Sequence, residues 1–208
     1  MWWFGDFIKD FLAIWIVLDP IAAVPVFMAL VADHDARTRA RIAGGSVVVA
    51  LAVLVFFIVA GQLIITAVGV SLRAFTIAGG IILFLFAVDL VIGENRPPAI
   101  DPRRSSPLQL AVYPMGVPTL AGPGSMLTVM LRTDYSRISL LEWIHTMVAV
   151  VFVLAITYGL LRSAGLITRL IGTGGASILK RIMGMILAAY AVTLVLHGVA
   201  DWLNLPPP

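Results

Sequence analysis

Residues 42–69 read IAGGSVVVALAVLVFFIVAGQLIITAVG, a run that contains no charged side chain. This run is longer than the roughly 20 apolar residues that an α-helix needs to cross a bilayer. Comparable runs with few charges occupy residues 7–31, 74–93, 108–131, 139–161 and 181–203. The sequence therefore predicts an all-α, polytopic membrane protein with six transmembrane helices.

The composition indicates a single transmembrane domain over residues 1–208. The chain is 61% hydrophobic and 12% charged, about half the charged fraction of a typical soluble domain. Its basic residues are dispersed between apolar runs, a pattern typical of contact with membrane lipid and not of a nucleic-acid partner. Because the chain has no cysteine, disulfides and thiolate metal sites are excluded, and no metal site is expected.

The distribution of lysine and arginine predicts the orientation of the chain. Ten of these residues follow spans 1, 3 and 5, counting Arg181 at the edge of span 6, whereas four lie on the opposite side. The positive-inside rule places the richer side in the cytoplasm. We therefore expect a multi-pass protein of the cell (inner or plasma) membrane, with a cytoplasmic linker at 95–107 and both termini outside the cytoplasm.

Two parts of the chain resemble each other at similar offsets. Residues 80–91 (GIILFLFAVDLV) match residues 184–195 (GMILAAYAVTLV) at seven of twelve positions. The pattern Pro20-x4-Pro25 in span 1 corresponds to Pro118-x4-Pro123 in span 4. Two three-helix repeats with an odd number of spans each would lie in opposite senses across the membrane, which is the inverted-repeat architecture of secondary transporters. The predicted repeats comprise residues 1–94 and 108–208.

Closely spaced prolines predict that spans 1 and 4 are broken near the middle of the membrane. Proline lacks the N–H of a helical hydrogen bond and disfavours helical geometry in the preceding residue. We expect half-helices to restart after Pro25 and at Gly124-Ser125, with N–H groups available to a carboxylate. The carbonyls that lose their donors could accept from an ammonium group or hold a cation; the alternative is a pair of kinks that only shape packing. These carbonyls are those of Ile16, Ile21, Leu110, Pro114 and Thr119.

Asp19 is the leading candidate for a functional side chain because it lies at mid-span, directly before Pro20. A carboxylate at this depth costs about 3 kcal/mol on insertion scales, so it is expected to face the protein interior. The alternative is that Asp19 caps the second half of a broken helix. Asp89, near the cytoplasmic end of span 3, is a second candidate for ion coupling, and an interfacial carboxylate is an equal alternative.

The other polar residues of the spans have simpler interpretations. Thr128 and Tyr190 could line a cavity, although membrane hydroxyls commonly bond their own backbone or a neighbour. Thr193 occupies the repeat position equivalent to Asp89. Those near the outer ends of their spans are expected to be solvated or interfacial: Gln62, Glu142, His145 and His197.

Four blocks of the sequence resemble the signature blocks of the MarC family, in matching order and spacing. They read Asp19-Pro20-x4-Pro25-x-Phe27, Phe75-x-Ile77-Ala78-Gly79-Gly80-Ile81, Pro114-x3-Pro118-x2-Ala121-Gly122-Pro123-Gly124 and Arg181-Ile182-Met183-Gly184-Met185-Ile186-Leu187-Ala188-Ala189. The resemblance implies six spans, and some MarC proteins are described as transporters of small neutral amino acids such as glycine and alanine. This chain departs from the family pattern with Ala22-Ala23 in place of Gly-Asn, and with Ser125 where a small apolar residue is common.

The leading hypothesis is a secondary transporter or exporter of small neutral amino acids that works by alternating access, with coupling to H⁺ or Na⁺ through Asp19 or Asp89. No cofactor is expected; the partners are membrane lipid and a small-molecule substrate, and a homo-oligomer is left open. The predicted substrate or ion site comprises Asp19, Pro20, Ile21, Ala23, Pro25, Pro114, Pro118, Thr119, Ala121, Gly122, Pro123, Gly124 and Ser125.

Three alternatives remain at this stage. The chain could be a non-transporting scaffold or lipid-binding protein, because small residues such as Gly80 and Gly184 favour close helix packing. It could also transport another small metabolite or a drug. A membrane enzyme is not expected and no catalytic residue is assigned, since the sequence contains no His-Glu-x-x-His motif, no Gly-x-Ser-x-Gly motif and no cysteine.

Overall fold

The structure, a computed structural model, describes residues 2–92, 104–133 and 140–206. Regular secondary structure in this part of the chain is entirely helical. Its elements are α1 (Trp2–Leu18), α2 (Pro20–Val31), α3 (Ala36–Val68), α4 (Leu72–Ile92), α5 (Pro107–Leu110), a π-helical segment (Ala111–Leu120), α6 (Pro123–Leu131), α7 (Leu140–Arg162) and α8 (Ala164–Leu203).

Five stretches of the described residues are long and apolar enough to cross a membrane. They are Phe7–Val31, Ala36–Gly61, Leu72–Ile92, Trp143–Arg162 and Arg181–Leu203. These stretches coincide with five of the six predicted spans, so the prediction of an all-helical, polytopic membrane protein is confirmed. The number of six crossings stays a prediction.

The predicted fourth span, 108–131, is not one continuous helix. It consists of α5, the π-helical segment and α6, and the backbone leaves helical geometry at Tyr113 (φ −134°, ψ 130°) and Val117 (φ −133°, ψ 127°). Each of these residues precedes a proline, and both Tyr113–Pro114 and Val117–Pro118 are cis peptide bonds. The steric effect of proline on its predecessor accounts for the extended geometry at both positions.

Two helices extend further than the sequence predicted. Residues 164–180, which lie between the fifth and sixth predicted spans, are instead the beginning of α8, which bends at Gly172 (φ 66°, ψ 175°). Helix α3 begins at Ala36, where the Asp35 carboxylate accepts a hydrogen bond from the Thr38 N–H at 3.3 Å. Hydrogen bonding to Thr38 holds the pKa of Asp35 below its usual value. Helices α3 and α8 therefore extend beyond the apolar runs into segments that carry charge, because a helix can continue into the polar interface.

Helices α4 and α8 pack antiparallel with their backbones close together. A β-carbon placed on Gly80 would lie 2.8 Å from Val195 Cγ2 and 3.1 Å from the Ala191 carbonyl oxygen. A β-carbon on Gly184 would lie 2.8 Å from Val91 Cγ2 and 3.1 Å from the carbonyl oxygen of Ala87. Small residues at this contact allow the close approach that drives helix association in lipid.

The interrupted segments lie among the longer helices. Helix α3 packs against the π-helical segment and α6, whereas α7 packs against α1 and α2; α6 also contacts α4, and α2 contacts α8. Large apolar side chains on the outer faces, such as Phe56, Leu63 and Phe152, remain exposed. Exposure of this kind suits a protein whose solvent is hydrocarbon.

A polar network joins α1 to α6 and α7 at one end of the bundle. Arg132 Nη1 lies 2.9 Å from Asp10 Oδ1 in an ion pair, and the Thr146 hydroxyl donates to Asp10 Oδ2 at 3.1 Å. Asp10 is buried. This network ties the end of α6 to the first half of α1.

Asp10→Asn is expected to lower the free energy of unfolding by about 1–3 kcal/mol, because the change leaves the half-buried Arg132 without its countercharge. Reversible unfolding in mixed detergent micelles measures the effect. Asp89→Asn makes the same chemical change on an exposed carboxylate and serves as the control. Equal stability of the two variants would contradict a structural role for the ion pair.

Gly80→Ala is expected to destabilise the protein by about 1–3 kcal/mol, because the new methyl group would overlap Val195 and the Ala191 carbonyl. The matched control is Gly159→Ala in α7, where an added β-carbon meets nothing within 4 Å. The same unfolding assay compares the two variants. If both retain wild-type stability, the α4–α8 contact is looser than described.

Candidate functional site

The first interruption is a single residue, Asp19. Its backbone adopts the left-handed conformation (φ 47°, ψ 63°) between the end of α1 and the start of α2 at Pro20. Asp19 Oδ1 accepts a hydrogen bond from the Ala22 N–H at 3.2 Å. Asp19 is therefore the N-cap of α2, which is the alternative interpretation of this residue.

The second carboxylate oxygen of Asp19 lacks a hydrogen-bond partner within the described part of the chain. Asp19 is only 4% exposed, and its Oδ2 is fully buried. An unpartnered buried polar atom is costly and needs a physical explanation. Capping uses one oxygen of this side chain and leaves the other for a proton, a cation or a water molecule.

The expected restart of the helix after Pro25 is wrong. Helix α2 begins at Pro20 and continues through Pro25. Proline is favourable in the first helical position, where its missing N–H would have no partner, so Pro20 starts the helix. Within a membrane helix a single proline is tolerated, which explains why Pro25 does not break it. Ala23 is buried in the main apolar core, and Ile21 is partly buried.

The second interruption covers residues 111–122, and side-chain hydroxyls bond several of its carbonyls. The Thr119 hydroxyl donates to the Pro114 carbonyl at 2.8 Å. The Ser125 hydroxyl lies 3.0 Å from the Leu120 carbonyl oxygen and 3.1 Å from that of Gly122. The expectation that the Pro114 carbonyl is available to a solute is therefore wrong in this conformation, because a local hydroxyl replaces the lost N–H donor.

The two interruptions approach each other at the start of α6. A β-carbon on Gly124 would lie 2.9 Å from Val17 Cγ1 and would also overlap Leu83. A small cavity of about 20 Å³ remains at this contact, enough for roughly one water molecule. Its lining includes six of the predicted site residues: Pro118, Thr119, Gly122, Pro123, Gly124 and Ser125.

The predicted site is therefore only partly assembled in this conformation. The span 4 residues surround the small cavity, but no room is left for an amino acid. Asp19, Pro20, Ala23 and Ala121 are buried and do not belong to its lining. Opening this region requires movement of α6 relative to α1 and α4.

A larger cavity of about 970 Å³ lies between the end of α3, the start of α4, α6 and the last part of α8. Its size is within the range of small-molecule sites. Its wall follows α8 from Tyr190 to Asp201, roughly 16 Å along the helix axis. The cavity lies at the end of the bundle where Arg132 pairs with Asp10.

The larger cavity brings together polar residues from α6 and α8. Thr128, Tyr190, Thr193 and His197 all belong to its lining. Thr193 donates to the Ala189 carbonyl at 3.0 Å, and His197 Nδ1 lies 2.8 Å from the Thr193 carbonyl oxygen. Thr128 and Tyr190 therefore line a cavity, which is one of the two interpretations left open for them, and they share it with Thr193 and His197.

Two charged residues of this cavity, Arg73 and Asp201, were not among the predicted site residues. The match between residues 80–91 and 184–195 was a signal that could have found them. Antiparallel packing of two such helices brings the start of α4 beside the end of α8. Asp89, in contrast, is exposed near the end of α4 and lines neither of the two cavities.

Thr128 differs from the other hydroxyl residues on these helices. Ser46, Thr76, Thr133 and Thr157 each donate to the carbonyl four residues earlier at 2.7–2.8 Å. Thr128 is 1% exposed, and its hydroxyl has no partner among the described residues. It lies one helical turn after Gly124. We call the buried end of the larger cavity, at Thr128, its floor. The floor is therefore one helical turn from the second interruption.

These features define a polytopic, all-helical membrane protein with interrupted segments next to a polar cavity. A model described as "MarC family integral membrane protein" matches residues 4–203. The chain belongs to the MarC family of integral membrane proteins, so the resemblance noted in the sequence is confirmed.

Relatives from archaea and bacteria match along most of their length. The chain is 36% identical to a UPF0056 membrane protein of Methanocaldococcus jannaschii, over 93% of this chain and 95% of the relative. It is 32% identical to a UPF0056 membrane protein of Pyrococcus horikoshii, with 88% and 89% covered. It is 28% identical to the UPF0056 inner membrane protein YhgN of Escherichia coli, with 91% and 93% covered. No solved structure matches the chain.

The lack of cysteine allows a direct test of the larger cavity. In Thr193→Cys, an impermeant maleimide is expected to label the cavity thiol, because position 193 is exposed and lines the larger cavity. Thr157→Cys, at a buried position of α7, is expected to resist the same reagent. The positive-inside rule places Arg132, which lines this cavity, outside the cytoplasm, so we expect Thr193→Cys to be labelled in intact cells. Labelling only in inverted vesicles would reverse this orientation.

Proposed function

We propose that the protein is a secondary transporter, or exporter, of small neutral amino acids of the glycine and alanine type. The observation that supports this proposal most directly is the position of Thr128. This buried hydroxyl lies at the floor of the larger cavity, one helical turn from Gly124. At Gly124 the second interruption packs against Val17 and Leu83, and this contact would block a solute in the present conformation. A polar path from one face of the bundle thus ends beside a backbone break.

Reciprocal contacts between α4 and α8 support an inverted repeat. Gly80 faces the Ala191 carbonyl, and Gly184 faces the Ala87 carbonyl. In the alignment of 80–91 with 184–195, Gly80 corresponds to Gly184 and Ala87 to Ala191. A pseudo-two-fold axis between the helices would produce this pair of matching contacts.

The neighbours of each helix follow the same rule. Helices α3 and α7 are equivalent in the proposed repeat, and each packs against both parts of the interrupted segment from the other half. Likewise, α4 packs on α6 and α8 packs on α2. On this basis residues 107–131 form the fourth crossing along the chain and bring the total to six. This crossing is antiparallel to residues 2–31.

Alternating access would then follow from movement of one half against the other. The present conformation is open on the side of Arg132, which the positive-inside rule assigns to the extracytoplasmic face. Access from the other side requires opening of the small cavity around Gly124. The start of α6 at Pro123 offers the N–H groups of Gly124 and Ser125 and a positive dipole end to a carboxylate.

Asp19 is the proposed coupling residue for H⁺ or Na⁺. Its buried Oδ2 has no partner within the described residues, and its Oδ1 is held by the Ala22 N–H. A cation or proton at Oδ2 would satisfy the remaining acceptor. Asp89 is the weaker candidate because it is exposed and lines neither of the two cavities.

A scaffold function receives less support. The small residues that favoured it are used within the chain, since Gly79 faces Leu127 and Gly80 and Gly184 form the α4–α8 contact. We keep transport of another metabolite or a drug as an outcome of the substrate screen, and we assign no enzymatic role.

Purified protein in liposomes is expected to exchange radiolabelled glycine and L-alanine across the membrane. Gly124→Val is expected to reduce the exchange at least about tenfold, because the new side chain would overlap Val17 and Leu83 and block the movement of α6. Gly159→Val places the same residue where an added β-carbon meets nothing within 4 Å and should retain exchange.

Two results would overturn the proposal. If wild-type protein exchanges neither amino acid at several pH values and sodium concentrations, the assigned substrate class is wrong. If Gly124→Val is folded and fully active, the route does not pass the second interruption.

Asp19→Asn is expected to keep exchange but to lose uphill accumulation driven by a proton or sodium gradient, which separates coupling from binding.

A further inference from the structure

The exposed part of the larger cavity, which we call its mouth, is lined by two residues of opposite charge, Arg73 and Asp201. Arg73 belongs to the first turn of α4 and Asp201 to the last turn of α8, and both line the cavity. They lie near each other because α4 and α8 are antiparallel; a β-carbon on Gly198 would be 3.4 Å from the Arg73 carbonyl oxygen. The mouth therefore presents a cation and an anion to the same space.

Neither charge is neutralised by the described part of the protein. Arg132, a third charged residue of the lining, is engaged by Asp10 at 2.9 Å. Within the described residues, no ion pair within 4.0 Å and no hydrogen bond engages the side chain of Arg73 or of Asp201. An unpaired guanidinium suits a carboxylate, which it can bind in a bidentate manner.

The floor of the cavity adds a neutral polar contact. The Thr128 hydroxyl is buried without a partner in the described residues. Satisfying a buried hydroxyl is favourable, so this group is prepared to bind a polar atom that enters the cavity. The Tyr190 ring, half-buried on α8, also belongs to the lining.

We infer that the larger cavity is a binding site for zwitterionic α-amino acids. Arg73 binds the carboxylate and Asp201 binds the ammonium group of the amino acid at the mouth. When the amino acid has moved inward, Thr128 provides a hydroxyl contact to one of these groups at the floor, before the second interruption. Because the mouth carries one charge of each sign, it favours a solute with both charges over a purely anionic or cationic one. The inference rests on the proposed transport function and assigns its entry site.

The test measures protection of a single cysteine at Thr193, inside the cavity, from maleimide by added L-alanine. The protein is held in nanodiscs of phosphatidylglycerol, so that no lipid ammonium group is present. We expect L-alanine to slow labelling, and L-lactate and ethylamine, each with one charge, to protect only at much higher concentrations. Equal protection by L-lactate and L-alanine would overturn zwitterion recognition.

Variants of Thr128, Arg73 and Asp201 test the three proposed contacts with the amino acid. Thr128→Val keeps the shape of the side chain and is expected to raise the half-protecting concentration of L-alanine about fivefold, the cost of one hydrogen bond. Its thermal stability should not fall, because the variant removes an unpartnered buried hydroxyl. Thr157→Val in α7 removes a hydroxyl that bonds its own helix and should leave protection unchanged.

Arg73→Gln and Asp201→Asn are each expected to raise the half-protecting concentration about fivefold or more. Asp201→Asn should also reduce the preference for L-alanine over L-lactate. Unchanged protection in Thr128→Val, Arg73→Gln and Asp201→Asn would overturn the assigned site even if the protein transports alanine. Conversely, protection that depends on these residues without any flux in liposomes would keep the site and overturn transport.

A comparison of nanodiscs with and without phosphatidylethanolamine distinguishes a free amino acid from a lipid headgroup that carries the same charges. Phosphatidylethanolamine also carries an ammonium group and an anionic group. If nanodiscs containing this lipid protect the Thr193→Cys thiol without alanine, and alanine adds nothing, the site belongs to lipid and the inference is wrong. Alanine protection that is equal in both lipids supports the solute site.

Discussion

The structure depends on one constraint, the need of every backbone polar group in a membrane to find a hydrogen-bond partner inside the protein. Continuous helices meet this need by themselves, and α3, α4, α7 and the part of α8 after its bend at Gly172 can therefore expose apolar faces. The two interrupted segments cannot. They lie among the longer helices, where the Asp19 carboxylate, the Thr119 hydroxyl and the Ser125 hydroxyl bond the backbone near the breaks.

The same constraint connects the breaks to the cavities. The hydroxyls of Thr119 and Ser125 bond carbonyls within the broken segment, and Val17 and Leu83 pack against Gly124 beside it, where a cavity of only about 20 Å³ remains. Thr128 lies one turn further along α6 and forms no such bond within the described residues. The larger cavity can therefore end at Thr128 without disturbing the break. In the proposed cycle, movement of α6 would exchange the closed region for the open one.

Much of the fold was accessible from the sequence because the membrane restricts the alternatives. Hydropathy located five of the apolar spans, and the prolines located the broken segment at 111–122. Periodicity could not reveal that Pro25 continues a helix while Pro20 begins one, since that difference depends on whether the N–H at each position would have a partner. Nor could it reveal the helical start of α8, because the charges and glycines of 164–180 resemble a loop.

The amino-acid sequence alone identifies this chain as an all-helical membrane protein of the MarC family, and its prolines indicate where two helices are interrupted. The tertiary structure decided which polar groups share a space. Thr128, Arg73 and Asp201 come from three different helices, and their distance depends on how those helices are rotated and packed. No local pattern contains that rotation, because in lipid it is set by close contacts such as those of Gly80 and Gly184.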